Sequence, residues 1–252
     1  MIAYLTSSPG GNDIADGKRY PSCLDEANGF VAKLKQHWRE NVKLLIISAS
    51  PDEPELNDSI RDIFAQAFPM SGLPVGAVDI CDSRTEALVR DLSAYDVVLL
   101  AGGHVPTQNA FFGKIQLKER LKVFDGILIG ISAGTMNCAE LVYALPELEG
   151  ESEDRGYQRF LTGLGLTKLM VIPHYQSLKE DVLDGKRVIE DIAYPDSMGR
   201  EFYALPDGSF LEIENGATTL CGEGYLIKDG EIRQICEQDA CKRLACKYFA
   251  GE

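Results

Sequence analysis

Long apolar segments are absent from this sequence. No run approaches the ~20 consecutive apolar residues that a membrane-spanning helix needs. The N-terminal stretch MIAYLTSSPGG lacks both the basic start and the long apolar run of a secretion signal. We therefore expect a cytoplasmic protein that has no membrane partner.

Cysteine pairs at the spacing of metal ligands are also absent. The seven cysteines are irregularly spaced, and none forms a Cys-x-x-Cys pair. This pattern favours reduced thiols over a disulfide framework or a zinc site, which agrees with a cytoplasmic location.

Basic residues are scarce. The chain has 25 Lys and Arg against 39 Asp and Glu, so its formal net charge is −14. Such a surface repels nucleic acid, and we exclude nucleic acid as a partner class. With 252 residues, 45% of them hydrophobic, and no linker or repeat, we expect a single domain that spans residues 1–252.

Apolar runs of strand length alternate with helical patterns over the first two thirds of the chain. Strands are predicted at Ile2–Leu5, Val42–Ser48, Val75–Ile80, Asp96–Leu100 and Ile127–Ile131, and helices at Leu24–Trp38, Asn57–Phe68, Arg84–Ala94 and Asn109–Val123. This alternation predicts an α/β fold with a doubly wound, mostly parallel sheet flanked by helices.

The last third of the chain has a different pattern. Short strands separated by turn signals are predicted at Glu201–Leu205, Phe210–Ile213, Thr218–Cys221, Tyr225–Ile227 and Glu231–Ile235. They suggest antiparallel strands added at one edge of the sheet. Helices are expected at Leu178–Ile192 and Asp239–Phe249, whereas Asn12–Pro21 is expected to be a polar loop.

The segment around Ser132 carries the strongest functional signal. Gly130–Gly134, GISAG, follows a predicted buried strand and opens a predicted helix. A G-x-S-x-G pentapeptide in that context is typical of a nucleophile elbow, in which a sharp turn exposes the serine hydroxyl above the sheet. A packed serine in a strand–helix turn is the alternative reading.

A serine nucleophile needs a basic group within hydrogen-bond reach. The chain has three histidines, and His37 lies on an early helix. His104 follows a Gly-Gly pair at the end of one predicted strand, and His174 follows another apolar run. Sites in such sheets form at the carboxyl ends of strands, so the pattern alone leaves both His104 and His174 as candidates for the base.

Four short motifs occur in the order of a known family. They are AGGH at 101–104, GISAG at 130–134, IPHY at 172–175 and ALPDGSF at 204–210. From about residue 96 to residue 212 the chain thereby resembles peptidase family S51, which contains aspartyl dipeptidase and cyanophycinase. The resemblance implies the class I glutamine amidotransferase-like fold, which is flavodoxin-like.

The resemblance also implies a catalytic triad. It makes Ser132 the nucleophile and His174 the base. The family's dipeptidase has a glutamate in an L-P-E-G turn as the orienting acid, and Asp207 takes that place here. Aspartate is one methylene shorter than glutamate, so Glu201 and Glu140 stand as fallback acids.

The same resemblance assigns the groups around the reacting carbonyl. The amides of Gly103 and Ala133 would form the oxyanion hole. The family's Gly-Gly-Gly-Asn is here Ala101–His104, so His104 would be a substrate-pocket residue. The acidic segment 145–157 is expected to be a surface loop or lid, whose charge would repel an acidic peptide or attract a basic one.

The resulting prediction is a serine hydrolase that cleaves a peptide or isopeptide bond of a small peptide, such as an aspartyl peptide. Neither a metal nor an organic cofactor is expected, and a homodimer is left open. A glutamine amidotransferase is disfavoured because Ser132 replaces the expected cysteine and Tyr175-Gln176 follows His174. A non-catalytic ligand-binding or sensing domain of the same fold is the alternative from another functional class.

Overall fold

The structure, a computed structural model, describes residues 1–245. Its strands are β1 Ile2–Thr6, β2 Gly10–Ala15, β3 Lys18–Leu24, β4 Val42–Ile47, β5 Val75–Cys81, β6 Val97–Leu100, β7 Ile127–Ile131, β8 Leu141–Tyr143, β9 Phe160–Thr162, β10 Met170–Ile172, β11 Val182–Leu183, β12 Lys186–Arg187, β13 Glu201–Ala204, β14 Phe210–Glu214, β15 Ala217–Cys221, β16 Gly224–Lys228, β17 Glu231–Cys236 and β18 Cys241–Leu244. Its helices are α1 Phe30–His37, α2 Pro54–Met70, α3 Val105–Lys114, α4 Leu117–Leu121, α5 Ala133–Met136, α6 Tyr175–Leu178 and α7 Tyr194–Asp196. Within residues 1–245 no helix has the length and apolar character to cross a bilayer.

An eight-stranded sheet forms the centre of the molecule, in the order β18-β15-β14-β1-β7-β6-β4-β5. Strands β1, β7, β6, β4 and β5 run parallel to one another. Strands β14, β15 and β18 extend the sheet beside β1 in antiparallel pairing. The predicted α/β architecture, with a largely parallel sheet and antiparallel strands from the last third of the chain at one edge, is confirmed.

The central strands are largely apolar, as is typical where helices cover both faces of a sheet. On β4, Leu44 and Ile46 join the core cluster that includes residues of α1 and α2. Leu45 and Ile47 point to the other face and join the cluster that includes residues of α3 and α4. All four side chains are fully buried, so the sheet is rigidly held where its strands end.

A second sheet of four strands, β10-β13-β16-β17, lies over a third core cluster. Ile172 of β10, Phe202 of β13 and Ile227 of β16 belong to this cluster, together with Met136 of α5. Strands β10 and β13 are parallel neighbours, with Ile172 opposite Ala204. Their carboxyl ends therefore lie side by side, next to the end of β7.

Several local predictions are wrong. Asn12–Pro21 is not a loop, because β2 and β3 pair as an antiparallel hairpin. Instead of one helix over Arg84–Ala94, two 3-10 turns at Glu86–Arg90 and Leu92–Ala94 flank Asp91, whose side chain accepts a hydrogen bond from the Ser93 amide. A side chain that binds its neighbouring backbone in this way competes with a continuous helix.

The predicted helix over Leu178–Ile192 is also replaced by other elements. The one-turn helix α6 ends at Leu178, the hairpin β11–β12 follows, and a π turn covers Val188–Ala193. Asp184 and Gly185 both have positive φ, 52° and 77°. An Asp-Gly pair of this kind favours a tight hairpin, and it overrides the helical spacing of the apolar residues.

The predicted C-terminal helix over Asp239–Phe249 is wrong for the part of it that the structure describes. Cys241–Leu244 forms an edge strand paired with β15 instead of starting a helix, and residues 246–249 lie outside the described residues. Cys221 and Cys241 are register partners on these strands and are joined by a disulfide. The expectation of reduced thiols is therefore wrong for these two cysteines.

Candidate active site

The elbow at Ser132 is a tight turn between β7 and α5. Ser132 has φ 49° and ψ −111°, a conformation that non-glycine residues rarely adopt. A Cβ on Gly134 would lie 2.3 Å from Leu100 O, and one on Gly130 would lie 2.9 Å from Thr135 Oγ1. Both glycines of the pentapeptide are therefore required by the close approach of strand and helix.

Strand β1 holds this turn in place. The Ser132 amide donates to the carbonyl oxygens of Thr6 and Ser7, each at 3.1 Å. The Thr135 hydroxyl donates to the same Thr6 oxygen at 2.8 Å. These bonds stabilise the unusual backbone of Ser132 and fix the position of its side chain.

Ser132, His174 and Asp207 form one hydrogen-bonded chain. His174 Nε2 lies 2.9 Å from Ser132 Oγ, and His174 Nδ1 lies 2.7 Å from Asp207 Oδ1. An ionised carboxylate can only accept, so Nδ1 is the nitrogen that donates, and Nε2 of the neutral ring is left to accept the serine proton. This is the arrangement that a serine nucleophile needs.

The topology explains why these three residues meet. Ser132 follows β7 of the large sheet, whereas His174 and Asp207 follow β10 and β13 of the small sheet. Because β10 and β13 are parallel neighbours, the residues that follow them leave the sheet at the same edge. The site therefore lies where the carboxyl ends of strands from both sheets meet.

The carboxylate of Asp207 is held by three donors. Burial by itself raises its pKa, but hydrogen bonds from His174, Ser7 and Gln176 outweigh that effect and place the pKa below the usual aspartate value. Ser7 Oγ donates to Oδ1 at 2.7 Å, and Gln176 Nε2 donates to Oδ2 at 2.6 Å. Asp207 is therefore kept ionised and correctly oriented toward the imidazole.

Sequence reasoning did not identify Ser7 and Gln176 as part of this network. The Ser7 hydroxyl also accepts from the His174 amide at 2.7 Å, so it joins the backbone of one residue to the side chain of another. Gln176 Oε1 accepts from the Asp207 amide at 3.0 Å. The available signals were a polar residue at the carboxyl end of β1 and a polar residue two positions after His174.

The two fallback acids lie elsewhere. Glu201 is at the amino end of β13, where its carboxylate pairs with Lys228 at 2.9 Å. Glu140 lies just before β8. Among the described residues, Asp207 is the carboxylate that hydrogen-bonds His174.

The predicted oxyanion donors flank the serine. The Ala133 amide is the first of α5, and first-turn amides have no partner within their helix. Gly103 follows β6 and lines the same cavity as Ser132. A Cβ on Gly103 would lie 2.7 Å from the Cβ of Ala49, so a larger residue does not fit this loop.

The sequence model of peptidase family S51 matches residues 47–221 of the chain. The protein belongs to peptidase family S51. This membership supports a peptidase function and confirms the resemblance carried by the four motifs.

Individual relatives are distant. The glutamine amidotransferase-like protein chyE of Penicillium rubens is 38% identical over 66 residues, a match that covers 26% of this chain and 27% of that protein. The chain thus matches only about a quarter of the length of this curated relative.

Two solved structures share the fold of this S51 chain. A peptidase from an acI-B1 Actinobacterium has a TM-score of 0.61 and 15% identity, with 96% of each chain covered. A putative peptidase E protein from Listeria monocytogenes EGD-e has a TM-score of 0.52 and 15% identity, with 97% of this chain and 98% of that chain covered. At this identity the likeness shows the fold alone.

A cavity of about 470 Å³ opens beside the serine of this S51 protein. Its lining residues are Gly103, Val105, Ser132, Met136, Leu145, Pro146, Glu147, Pro173, His174, Ser177, Leu178, Asp181, Val182, Leu183 and Val188. Most of these side chains are apolar, and the cavity has the size expected for a small ligand.

His104 is not one of the residues that line this cavity. Its Nδ1 lies 2.7 Å from Thr107 Oγ1 and its Nε2 lies 2.8 Å from Glu151 Oε1. The other carboxylate oxygen of Glu151 accepts from the amides of Glu147 and Leu148. In this S51 chain, His104 thus connects the loop after β6 to the acidic segment at the cavity mouth.

Metal ligands are not clustered in the part of the chain that the structure describes. No group of three or more His, Cys, Asp or Glu side chains is placed as a metal site requires.

Proposed function

We propose that this chain is a serine peptidase that cleaves a peptide or isopeptide bond of a small peptide. The observation that carries the proposal is the hydrogen-bonded chain in which His174 Nε2 lies 2.9 Å from Ser132 Oγ and Nδ1 lies 2.7 Å from Asp207 Oδ1. Family membership supports the same reaction class.

In this mechanism Ser132 Oγ attacks the carbonyl carbon of the scissile bond while His174 Nε2 takes the hydroxyl proton. The negative charge that develops on the carbonyl oxygen is stabilised by the amides of Gly103 and Ala133. His174 then gives the proton to the leaving amine, which departs and leaves an acyl-serine. A water molecule, deprotonated by His174, hydrolyses this ester and restores Ser132.

Asp207 acts through His174. Its ionised carboxylate fixes the ring with the proton on Nδ1 and stabilises the imidazolium that forms in each half-reaction. Ser7 and Gln176 hold Asp207 in turn, so they are positioning residues in this proposal.

An amidotransferase would need a cysteine nucleophile, and the cysteine that follows the Ser132 turn, Cys138, is not suited to that role. Cys138 is fully buried, and its Sγ donates to the Gly134 carbonyl at 3.1 Å. Burial raises the pKa of Cys138 well above the usual thiol value, so its thiolate is not available at neutral pH. Ser132 is the nucleophile that the cavity exposes.

The test is active-site labelling of the intact protein with a fluorophosphonate, followed by peptide mapping. We expect one labelled residue, Ser132, and no labelling in Ser132→Ala or His174→Ala. His37→Ala is the matched control, because His37 lies on α1 and outside the cavity lining.

Two results would contradict the proposal. One is labelling that persists in Ser132→Ala. The other is a wild-type protein that is neither labelled nor able to hydrolyse any member of a dipeptide panel. Circular dichroism of each variant establishes that a lost signal does not result from a lost fold.

A further inference from the structure

The charges of the cavity beside Ser132 do not suit an acidic substrate. The ionisable residues of its lining are His174, Glu147 and Asp181, and the lining drawn from residues 1–245 includes no lysine or arginine. A substrate carboxylate that entered this cavity would lose water next to like charges and would find no cationic partner. An aspartyl side chain is therefore poorly accommodated.

Two basic side chains near the cavity walls are engaged elsewhere. Lys186 Nζ donates to the carbonyl and hydroxyl oxygens of Ser152 at 3.1 and 3.2 Å. Arg187 pairs with Asp191 at 3.0 Å. Arg187 directly precedes the lining residue Val188 and Lys186 lies two positions before it, yet neither residue lines the cavity.

Glu147 lines the same cavity as Gly103, the proposed oxyanion donor. Its Oε1 accepts from the Val105 amide at 3.3 Å, and Val105 is two residues from Gly103, which spans at most ~7 Å of extended chain. Burial raises the pKa of the Glu147 carboxyl, and the hydrogen bond from the Val105 amide offsets this only in part. A cation beside the Glu147 carboxylate would lower its pKa and favour the ionised form.

One part of the cavity wall is apolar. Met136, Leu145, Leu178, Leu183 and Val188 contribute walls to a volume of about 470 Å³. All five pack in the same core cluster of the small sheet, so these walls are formed before a ligand arrives. An aliphatic or aromatic side chain can be buried here with a gain in free energy.

We propose that the site takes short peptides whose N-terminal residue is apolar, with the side chain in the apolar part of the cavity and the α-ammonium group facing Glu147. The α-ammonium of such a residue is two bonds from the carbonyl carbon that Ser132 attacks. The Glu147 carboxylate lines the same cavity as Gly103 and Ser132 and is the group that we infer pairs with it. This substrate class rests on the proposed peptidase function and differs from the aspartyl peptides of the family's dipeptidase.

Binding can be measured separately from catalysis. Calorimetric titrations of Ser132→Ala with Leu-Ala, Asp-Ala and N-acetyl-Leu-Ala give the affinity of the cavity without hydrolysis. We expect Leu-Ala to bind at least about tenfold more tightly than the other two, because each of them loses an interaction with a buried charge or adds a repulsive one.

The charge partner is tested by a second substitution. In the Ser132→Ala background, Glu147→Gln should weaken Leu-Ala binding about tenfold and remove the difference between Leu-Ala and its acetylated form. Glu149→Gln is the matched control, because Glu149 belongs to the same acidic segment but does not line the cavity. It should leave all three affinities unchanged.

The inference is overturned if Asp-Ala binds best, if acetylation has no effect, or if Glu147→Gln behaves like Glu149→Gln. These outcomes are independent of the proposed function, which fluorophosphonate labelling of Ser132 tests. A wild-type protein that is neither labelled nor able to hydrolyse any dipeptide, with a preserved preference for Leu-Ala in binding, would reject the peptidase and keep the ligand class. Labelling of Ser132 together with a preference for Asp-Ala would support the peptidase and reject the proposed ligand class.

Discussion

At the scale of single residues, the orienting acid is the position that bears most directly on the proposed mechanism. Both oxygens of Asp207 are engaged, Oδ1 by His174 and Ser7 and Oδ2 by Gln176. We expect Asp207→Asn to lower kcat by roughly 10³- to 10⁴-fold, because an amide no longer fixes the imidazole with its proton on Nδ1.

The measurement is steady-state hydrolysis of a peptide that the wild type cleaves. Glu201→Gln serves as the control, since the Glu201 carboxylate pairs with Lys228 and does not contact His174. A loss of less than about tenfold in Asp207→Asn would show that another group orients the base.

The same carboxylate makes the stability of the protein sensitive to acid. The pKa of Asp207 is lower in the folded state than its ordinary value of 3.8, so the ionised form contributes stability at pH values above that ordinary value. The contribution is lost as the pH falls below about 4 toward the lower folded-state pKa.

The direction of the Asp207 pKa shift can be checked by urea unfolding of the wild type and Asp207→Asn between pH 7 and pH 3. The difference in free energy of unfolding between the two proteins should be largest at neutral pH and should shrink below about pH 4. A difference that grows in acid would mean that the folded-state pKa of Asp207 is raised instead.

Local sequence patterns indicate some residues of the candidate site but not others. Ser132 could be predicted because its signal lies within five consecutive residues. Ser7 could not, because its partners His174 and Asp207 are 167 and 200 positions away. Contacts of that separation depend on which strands become neighbours, and no local pattern encodes this.

At the scale of elements, the glycines of the elbow allow a direct test of close packing. A methyl group at position 134 would lie 2.3 Å from the Leu100 carbonyl oxygen, whereas one at position 113, in α3, meets no atom within 4 Å. Gly134→Ala should therefore destabilise the protein by about 1–3 kcal/mol and abolish labelling of Ser132.

Gly113→Ala is the matched control within a helix. It should raise the free energy of unfolding by about 0.4–1 kcal/mol, because it reduces the freedom of the unfolded chain at no steric cost. Urea denaturation of both variants measures the two effects. Equal stabilities for the two would contradict the packing described for the elbow.

The elements that sequence predicted well are those with one dominant signal. Strands β4, β6 and β7 are buried on both faces and appear as continuous apolar runs. The hairpin β11–β12 was missed because apolar residues at helical spacing concealed the turn signal of Asp184-Gly185. The hairpin β2–β3 was missed because its sequence is polar, and three of its six β2 residues are exposed.

At the scale of the whole molecule, the site depends on the docking of two sheets. Ser132 follows a strand of the eight-stranded sheet, and His174 and Asp207 follow strands of the four-stranded one. We expect fluorophosphonate labelling and the near-ultraviolet circular dichroism signal to be lost at the same urea concentration, as in a cooperative two-state transition.

Labelling that disappears at a clearly lower urea concentration than the circular dichroism signal would show that the small sheet separates before the large one unfolds. Far-ultraviolet circular dichroism provides the control, because it reports secondary structure in both sheets. The fold class could be predicted at this scale from the order of strands and helices, but the split into two sheets could not.

The position of β1 has a practical consequence for recombinant fragments. This first strand lies between β14 and β7 in the large sheet, and the residues that end it bind the Ser132 amide, the His174 amide and the Asp207 side chain. A fragment that begins at β4 would retain Ser132, His174 and Asp207 yet lack the strand that connects them. Its large sheet would be divided in two, and any expression strategy that trims the first ten residues would discard the support of the site along with them.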